Sequence, residues 1–247
     1  MPGDPDGAVM IQVYPDLESL SRAAADAFVR RVREVLEVRD RVSLALSGGH
    51  TPRRTYELLA QPEFRDEIDW KRVHVFWGDE RCVPPEDPRS NARLAREALL
   101  DHVPLPAGNV HPIWCGASPE AGAAQYAARL KDFFAGRTPR FDLMLLGLGA
   151  DGHTASLFPG SEALKERSRW TAVVKVPQEE FCRVTLTFPL INQAALIAVL
   201  VAGADKAETL KEVLKGPREP QRLPARLLSP LTGELRWLVD REAAARL

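Results

Sequence analysis

The chain has 247 residues, of which 45% are hydrophobic and 27% are charged, a composition typical of soluble globular proteins and not of disordered ones. Its formal net charge of −1 gives no general attraction to nucleic acid or to a membrane surface. No apolar run approaches the roughly 18 residues of a transmembrane helix and the N-terminus lacks a signal-peptide core, so we expect a soluble cytoplasmic protein.

Strands and helices are predicted to alternate from one end of the chain to the other, after a loose Pro-, Gly- and Asp-rich leader at residues 1–7. Apolar runs predict strands at residues 9–14, 42–46, 73–77, 110–114, 141–146, 172–176, 183–187, 196–201 and 235–239. Helical periodicity and capping residues predict helices at 16–38, 53–59, 91–102, 119–134, 188–194 and 206–214, with a short one at the C-terminus. This alternation predicts one α/β domain, a doubly wound, mostly parallel sheet with helices on both faces.

A glycine turn follows the second predicted strand, where Ser47, Gly48 and Gly49 precede a helix that Pro52 is expected to start. Free backbone N–H groups and the positive end of a helix dipole form an anion site in such a turn. An ordinary strand-to-helix turn needs the same glycines, so the turn alone does not decide between the two interpretations. The hydroxyls of Ser47 and Thr51 favour a phosphate ligand.

Three charged residues, Asp79, Glu80 and Arg81, follow the third predicted strand. Charges clustered directly after a buried strand are more informative than charges on a helix face. The two acids are either capping and solvating groups or sugar ligands, and Arg81 is either an ion-pair partner or a phosphate or sugar ligand. The residue types leave these alternatives open.

Asp151 and His153 follow the strand at 141–146, just past a Gly-Leu-Gly turn at 147–149. A base beside a carboxylate at the carboxyl end of a strand is well placed for chemistry in an open α/β sheet. His153 is then the natural proton-transfer group, with Asp151 fixing its tautomer or tuning its pKa. The segment also fits the dinucleotide fingerprint G-x-G-x-x-G, but a proline and a glycine at 159–160 end it before the long helix that the fingerprint requires. Nicotinamide binding is therefore disfavoured.

Loops at the carboxyl ends of parallel strands lie along one edge of the sheet, so these three loops and Lys206 can converge on one crevice. Arg183 begins its strand, so this argument does not place it there. Cations with backbone donors suggest an anionic ligand, most simply a phosphate ester. The chain has no G-x-S-x-G motif, no H-E-x-x-H or H-x-x-x-H pair, and no C-x-x-C pair among Cys82, Cys115 and Cys182. We therefore expect acid–base catalysis without a metal or another cofactor, and neither a disulfide framework nor a zinc knuckle.

Three segments strongly resemble the 6-phosphogluconolactonases: LSGGHTP at 46–52, WGDERCVP at 77–84 with the serine and asparagine at 90–91, and LGLGADGHTASLFPG at 146–160. RVTLT at 183–187 and GADK at 203–206 are also similar to that family, and the order is kept across nearly the whole chain. The resemblance implies a Rossmann-like fold of the sugar-phosphate isomerase type. It further implies hydrolysis of 6-phospho-D-glucono-1,5-lactone to 6-phospho-D-gluconate, the second step of the oxidative pentose phosphate pathway.

Under this resemblance, we hypothesise that His153, oriented by Asp151, is the general base for a water that attacks the lactone carbonyl, and that it returns the proton to the ring oxygen. Backbone N–H groups of the glycine turn, at Gly149, or Arg81 would stabilise the oxyanion. The other residues expected to bind the substrate are Ser47, Gly48, Gly49, Thr51, Arg183 and Lys206. The partner is thus a small sugar-phosphate lactone. We expect no nucleic acid or membrane partner, and a monomer or weak homo-oligomer.

Two alternatives fit the sequence less well. Glucosamine-6-phosphate deaminases share the fold superfamily. They have an Asp-Glu-Tyr sequence where this chain has Asp79, Glu80 and Arg81. An Asn-Glu-Pro type of sequence follows their histidine, and this chain lacks it. A sugar-phosphate sensor of a transcription regulator normally carries a helix-turn-helix segment, whereas the residues before Val42 predict one strand and one long helix. A sensor also has no need of Asp151 and His153.

Overall fold

The computed structural model describes residues 9–217 and 219–247, so the leader expected at residues 1–7 lies outside the described part of the chain. Within these ranges the strands are β1 Val9–Tyr14, β2 Val42–Leu46, β3 Val73–Trp77, β4 Asp79–Arg81, β5 Leu143–Gly147, β6 Thr171–Lys175, β7 Cys182–Leu186, β8 Leu196–Val201 and β9 Glu234–Asp240. The α-helices are α1 Leu17–Val38, α2 His50–Leu59, α3 Pro62–Arg65, α4 Asn91–Ala98, α5 Pro119–Phe133, α6 Phe188–Ile191 and α7 Ala207–Lys215. None of these helices is long and apolar enough to cross a membrane.

Across the described residues, six strands form one sheet in the order β1-β9-β8-β5-β2-β3, and every neighbouring pair in it is parallel. The chain passes from β2 to β3 on one side, whereas β5 lies on the other side of β2. The strand order therefore reverses between β2 and β5, and ligands of open α/β sheets bind beyond the carboxyl ends of the strands at such a point. The predicted α/β fold with a mostly parallel sheet is confirmed.

The central strands are buried on both faces, as their apolar sequences predict. Every residue of β2 and of β8 is buried. The helix α1 packs on the sheet through Leu20, Phe28 and Val32, which lie on one helix face. Burying a large apolar side chain of this kind contributes about 1.5–3 kcal/mol. Asp16 caps α1, as predicted, by accepting a hydrogen bond from the N–H of Ser19 at 2.7 Å.

Two buried tyrosines close the carboxyl ends of β2 and β3. The hydroxyl of Tyr56 accepts the N–H of Ser47 at 3.0 Å and donates to the carbonyl of the same residue at 2.8 Å. Tyr126 makes the same two bonds with Trp77, at 2.9 and 2.8 Å. Burial raises the pKa of both hydroxyls, so they stay protonated and able to donate. Protein groups therefore satisfy the backbone where these strands reach the edge of the sheet.

A second, antiparallel sheet has the order β4-β7-β6. The strand β4 follows β3 after a single residue, Gly78, whose N–H donates to the carbonyl of Leu46 at 2.8 Å. The sequence predicts a strand-end loop at Asp79–Arg81, directly after the third predicted strand. The structure shows a strand there, since pairing with β7 satisfies its backbone and places Arg81 beside Arg183.

Three other expectations about elements are wrong. The strand expected at 110–114 is reduced to a single bridge between Val110 and Val75, and Trp114 is exposed. The short helix expected at the C-terminus is replaced by turns after β9. The helix α2 begins at His50, so Pro52 is its third residue and not its first. A proline is tolerated there because the first turn of a helix needs no N–H from it.

The sequence predicts no disulfide framework, but the structure contains one disulfide among the described residues. Cys82 and Cys115 form it, with their Cα atoms 5.4 Å apart and a sequence separation of 33. The segment before α5 lies next to the end of β4. A motif such as C-x-x-C detects only cysteines that are close in sequence, so it could not predict this tertiary contact. Among the described residues, Cys182 is the free cysteine.

Candidate active site

A cavity of about 420 Å³ opens at the carboxyl ends of β2, β5 and β8, where the strand order reverses. Its volume is in the range of sites for small molecules. The lining residues other than apolar ones are Ser47, Gly48, Gly49, His50, Thr51, Asp79, Arg81, Asn91, Gly147, Gly149, His153, Arg183, Asp205 and Lys206. In residues 9–217 and 219–247, no group of three or more His, Cys, Asp or Glu side chains is arranged to hold a metal ion.

The turn between β2 and α2 forms one wall of this cavity. Gly49 has a φ of +108°, a conformation that favours glycine, and the N-terminus of α2 follows it directly. A Cβ on Gly48 would lie 1.8 Å from Oδ1 of Asn91, so this close approach also needs glycine. Ser47 Oγ and Asn91 Oδ1 are buried and have no hydrogen-bond partner in the described part of the chain. The Ser47 hydroxyl can donate to an anion bound at this helix N-terminus, whereas Asn91 Oδ1 can only accept a hydrogen bond, for example from a ligand hydroxyl.

His153 lines the cavity, and Asp151 contacts the Nδ1 atom of its ring. His153 Nδ1 lies 2.5 Å from Asp151 Oδ1, and the same oxygen accepts the backbone N–H of His153 at 3.1 Å. The imidazole packs against Phe158 with 4.3 Å between the ring centroids. Partial burial raises the pKa of Asp151, but hydrogen bonds and charge attraction from His153 outweigh this and hold the pKa below its usual range. The carboxylate therefore fixes a proton on Nδ1 and leaves Nε2 as the proton acceptor.

Arg183 enters the cavity from β7 and is 9% exposed. Its Nε donates to Oε2 of Glu179 at 2.8 Å, its Nη2 donates to the other carboxylate oxygen, and its Nη1 lies 4.0 Å from Oδ2 of Asp79. The guanidinium carbon lies 5.2 Å from the centre of the Phe158 ring. Burial lowers the pKa of Arg183, but the two carboxylates outweigh it and the pKa is raised. Protein carboxylates thus balance the charge of this cation.

The two acids at the start of β4 have different surroundings. Asp79 lines the cavity, and its carboxylate accepts the hydroxyl of Ser156 at 2.6 Å and the side-chain amide of Asn91 at 3.2 Å. Glu80 lies on the opposite face of the strand and accepts the N–H groups of Asn91 and Ala92, at 2.8 and 2.7 Å. Burial raises the pKa of Glu80, and these hydrogen bonds oppose it. Glu80 therefore supports the N-terminus of α4, whereas Asp79 can contact a ligand.

Arg81 and Lys206 are the other cations at the cavity. Nη1 of Arg81 donates to the carbonyl of Arg89 at 2.6 Å, and its Nε has no partner among the described residues. Nζ of Lys206 lies 3.0 Å from Oδ2 of Asp205, in the turn after β8. Together with Arg183, they surround the cavity with three cationic side chains. Such a cavity attracts an anionic ligand.

The structure brings nearly all the residues that the sequence singles out to this one cavity. The lining includes His153 and all eight residues expected to bind substrate: Ser47, Gly48, Gly49, Thr51, Arg81, Gly149, Arg183 and Lys206. Asp151 does not line the cavity but contacts His153, which does. Arg183 reaches it because β7 runs antiparallel to β4, so the start of one strand lies beside the end of the other.

Sequence reasoning misses three polar lining residues, His50, Asn91 and Asp205. His50 begins α2 directly after the turn that ends β2, and Asp205 stands in the turn after β8, so their positions beyond strand ends are a signal that identifies them. Asn91 reaches the cavity from the N-terminus of α4, and its contact with Gly48 has no signal in the sequence around either residue.

Comparison with known proteins agrees with this geometry. Residues 15–237 match the family model described as glucosamine-6-phosphate isomerases/6-phosphogluconolactonase. The chain is 43% identical over 244 residues to the 6-phosphogluconolactonase of Synechocystis sp., covering 97% of this chain and 99% of that protein. Its fold matches 6-phosphogluconolactonase from Trypanosoma brucei with a TM-score of 0.84 and 31% identity, over 98% of this chain and 100% of that one. A monomeric glucosamine-6-phosphate deaminase matches with a TM-score of 0.82 over 96% of this chain and 100% of that one, but at 24% identity this likeness shows the fold alone. The chain belongs to the family of glucosamine-6-phosphate isomerases and 6-phosphogluconolactonases.

Proposed function

We propose that this protein hydrolyses 6-phospho-D-glucono-1,5-lactone to 6-phospho-D-gluconate. The observation that carries the proposal is the His153–Asp151 pair at a cavity that Arg183 and Lys206 also line. A phosphorylated lactone needs both parts of this arrangement, a base for its ester and cations for its phosphate. The relatives named 6-phosphogluconolactonase, which match along nearly the whole chain, support this substrate.

In the proposed reaction, His153 is the general base. Its Nε2 takes a proton from a water molecule, which attacks the lactone carbonyl, and Asp151 stabilises the imidazolium that forms. The same nitrogen then gives the proton to the ring oxygen as the carbon–oxygen bond of the ester breaks. The 2.5 Å contact between Nδ1 and the carboxylate, together with the packing of Phe158, fixes the direction in which Nε2 points.

We assign the oxyanion to Arg81. The N–H of Gly149 donates to the carbonyl of His153 at 2.8 Å, so it is not free to bind the substrate. Arg81 lines the cavity, and within the described ranges its guanidinium donates one hydrogen bond, from Nη1 to the carbonyl of Arg89. A cation fixed in place before the reaction stabilises the negative charge that develops on the carbonyl oxygen.

We assign the 6-phosphate to the β2–α2 turn and the two remaining cations. Ser47 Oγ and the N-terminus of α2 supply hydrogen-bond donors, while Arg183 and Lys206 supply charge. The phosphate has to compete with Glu179 for Arg183, because both ends of that carboxylate are bound to the guanidinium. Asp79, which is 5% exposed at the cavity, is placed to accept a sugar hydroxyl. Binding of the phosphate then positions the lactone carbonyl at His153.

The test is hydrolysis of freshly generated lactone, coupled to 6-phosphogluconate dehydrogenase and corrected for spontaneous opening in water. We expect His153→Gln to lower kcat by about 10²–10⁴, the usual contribution of a general base. His102→Gln is the matched control, since His102 is exposed and its ring contacts only the carbonyl of Glu97 among the hydrogen-bond partners described. Wild-type turnover in a folded His153→Gln protein would remove His153 from this role. Ammonia release from glucosamine 6-phosphate, without lactone hydrolysis, would replace the proposed function by a deaminase.

A further inference from the structure

Two cysteines lie on the strand pair that carries two arginines of the cavity. Cys82 follows β4 directly, and Cys182 is the first residue of β7. The N–H of Cys82 donates to the carbonyl of Cys182 at 2.9 Å, which continues the antiparallel ladder by one pair beyond Arg81 and Arg183. Because successive side chains of a strand alternate between its faces, Cys82 and Cys182 share the face opposite to the two arginines.

A free thiol therefore lies across the ladder from a disulfide sulfur. Cys82 is bonded to Cys115, and Cys182 is the free cysteine of the described residues. All three residues are partly exposed. The Cα atoms of directly opposed residues in an antiparallel pair are about 4.5–5.5 Å apart, within the range of about 4.4–6.8 Å that a disulfide spans. Cys82 can thus bond to either neighbour without a change in strand pairing.

We propose that Cys82, Cys115 and Cys182 form a thiol–disulfide exchange site that takes a dithiol as its substrate. Within the protein, Cys182 loses its proton to water and its thiolate attacks Sγ of Cys82. The Cys182–Cys82 bond forms, the Cys82–Cys115 bond breaks, and its electron pair leaves on Cys115, which takes up a proton. This exchange is neutral in electrons and protons. A dithiol reductant opens either bond, because it is oxidised by two electrons to its own disulfide while the protein gains two thiols.

The exchange site is connected to the cavity through Arg81. The bond from Cys82 to Cys115 fastens the end of β4 to the segment that precedes α5. Reduction breaks this covalent link. Arg81 is then held by its hydrogen bond to the carbonyl of Arg89 and by the pairing of β4 with β7. A less restricted Arg81 contacts the lactone less well. This consequence rests on the proposed lactonase activity, whereas the exchange itself does not.

Alkylation of the intact protein tests the exchange. Without reductant, a low concentration of iodoacetamide should place one label on each molecule, on Cys182 in some molecules and on Cys115 in others. Peptide mass mapping under non-reducing conditions locates the label and the bond. A label on Cys115 requires that the bond has moved to Cys82 and Cys182, and Cys182→Ser should take no label at either position. A label confined to Cys182 would overturn the proposal.

A second variant decides the same point independently of labelling rates. In Cys115→Ser, oxidised glutathione should produce a direct bond between Cys82 and Cys182, detected by the same peptide mapping. Recovery of both residues as thiols or as separate glutathione adducts, in protein with native circular dichroism, would contradict the exchange.

The connection to catalysis is measured on the same proteins. Dithiothreitol should lower kcat/KM of the wild-type protein for the phosphorylated lactone by roughly 3–10-fold. Cys82→Ser should have the lower value both with and without reductant, because it cannot form either bond. An unchanged kcat/KM of the reduced wild-type protein would exclude the connection to Arg81. Absence of lactone hydrolysis in every form would count against the proposed function, while the position of the label still decides the exchange.

Discussion

A methyl group at Gly149 offers a sharp test of the catalytic pair, because it would displace His153 without removing it. A Cβ built on Gly149 would lie 2.1 Å from His153 Nδ1 and 2.7 Å from Asp151 Oδ1. Ordinary contacts between heavy atoms begin near 3.5 Å. In Gly149→Ala the imidazole must therefore move by more than about 1 Å, and its hydrogen bond to the carboxylate is broken. The backbone conformation of Gly149 lies outside the region that favours glycine, so alanine causes no backbone strain there.

The expected loss is large in kcat and small in stability. A misplacement of about 1 Å in a catalytic group costs on the order of 10²-fold in rate, which corresponds to about 2.7 kcal/mol in the activation free energy. The displaced side chains are partly exposed, with 26% exposure for His153 and 47% for Asp151, so they can move into solvent. We therefore expect a melting temperature close to that of the wild-type protein.

The matched control is Gly108→Ala, at an exposed glycine that does not line the cavity. A Cβ at Gly108 would have no heavy atom within 4 Å, so this variant should keep wild-type kcat. Both variants are assayed with the coupled lactone assay, and their folding is compared by thermal unfolding. A kcat for Gly149→Ala within about threefold of Gly108→Ala would refute the reasoning, because the position of the imidazole would then not limit the reaction.

Two further predictions concern the phosphate and pH. Lys206→Ala and Arg183→Ala should each raise KM for the phosphorylated lactone by about 10–100-fold, because each removes a hydrogen bond to a charged group. Hydrolysis of unphosphorylated gluconolactone should stay unchanged in both variants. An equal loss with both lactones would refute the phosphate assignment. Burial lowers the pKa of His111 to about 4. As the pH falls, the imidazole of His111 therefore becomes protonated in the unfolded chain before it does in the folded protein. The free energy of unfolding that is present above about pH 6.5 falls between pH 6.5 and 4, by roughly 1–2 kcal/mol after allowance for solvent screening. In His111→Phe the free energy of unfolding in urea should fall less between pH 7 and 4.5, and equal slopes in both proteins would contradict this account.

The sequence predicted the fold correctly wherever the residues of a single segment were enough to identify a strand or a turn. The strands β2 and β5 are apolar runs that end in glycine turns, and a strand buried on both faces requires such a sequence. The same turns predicted the loops that carry Ser47 and His153. The rule that ligands bind at the carboxyl ends of parallel strands then predicted that these loops meet, and they line one cavity.

The features that sequence reasoning missed depend on contacts between distant segments. Asp79–Arg81 has the composition of a loop and is extended only because β7 pairs with it. The same pairing brings in Arg183, whose place the strand-end argument leaves open. The bond between Cys82 and Cys115 depends on the path of the chain before α5, and no local pattern records that path. The assignments of individual side chains to base and phosphate are predictions that the variants above test.

The pairing of β4 with β7 also determines when the protein can first act. Arg81 and Arg183 are neighbours on one ladder although about 100 residues separate them in the chain, and closing so long a loop is entropically costly. A chain being synthesised contains the β2–α2 turn, and later the segment with His153, before β7 exists. The cavity is therefore incompletely lined until Arg183 and Lys206, both in the second half of the chain, have been made and have docked on the first half. The complete set of lining side chains thus exists only in a chain whose two halves have folded together.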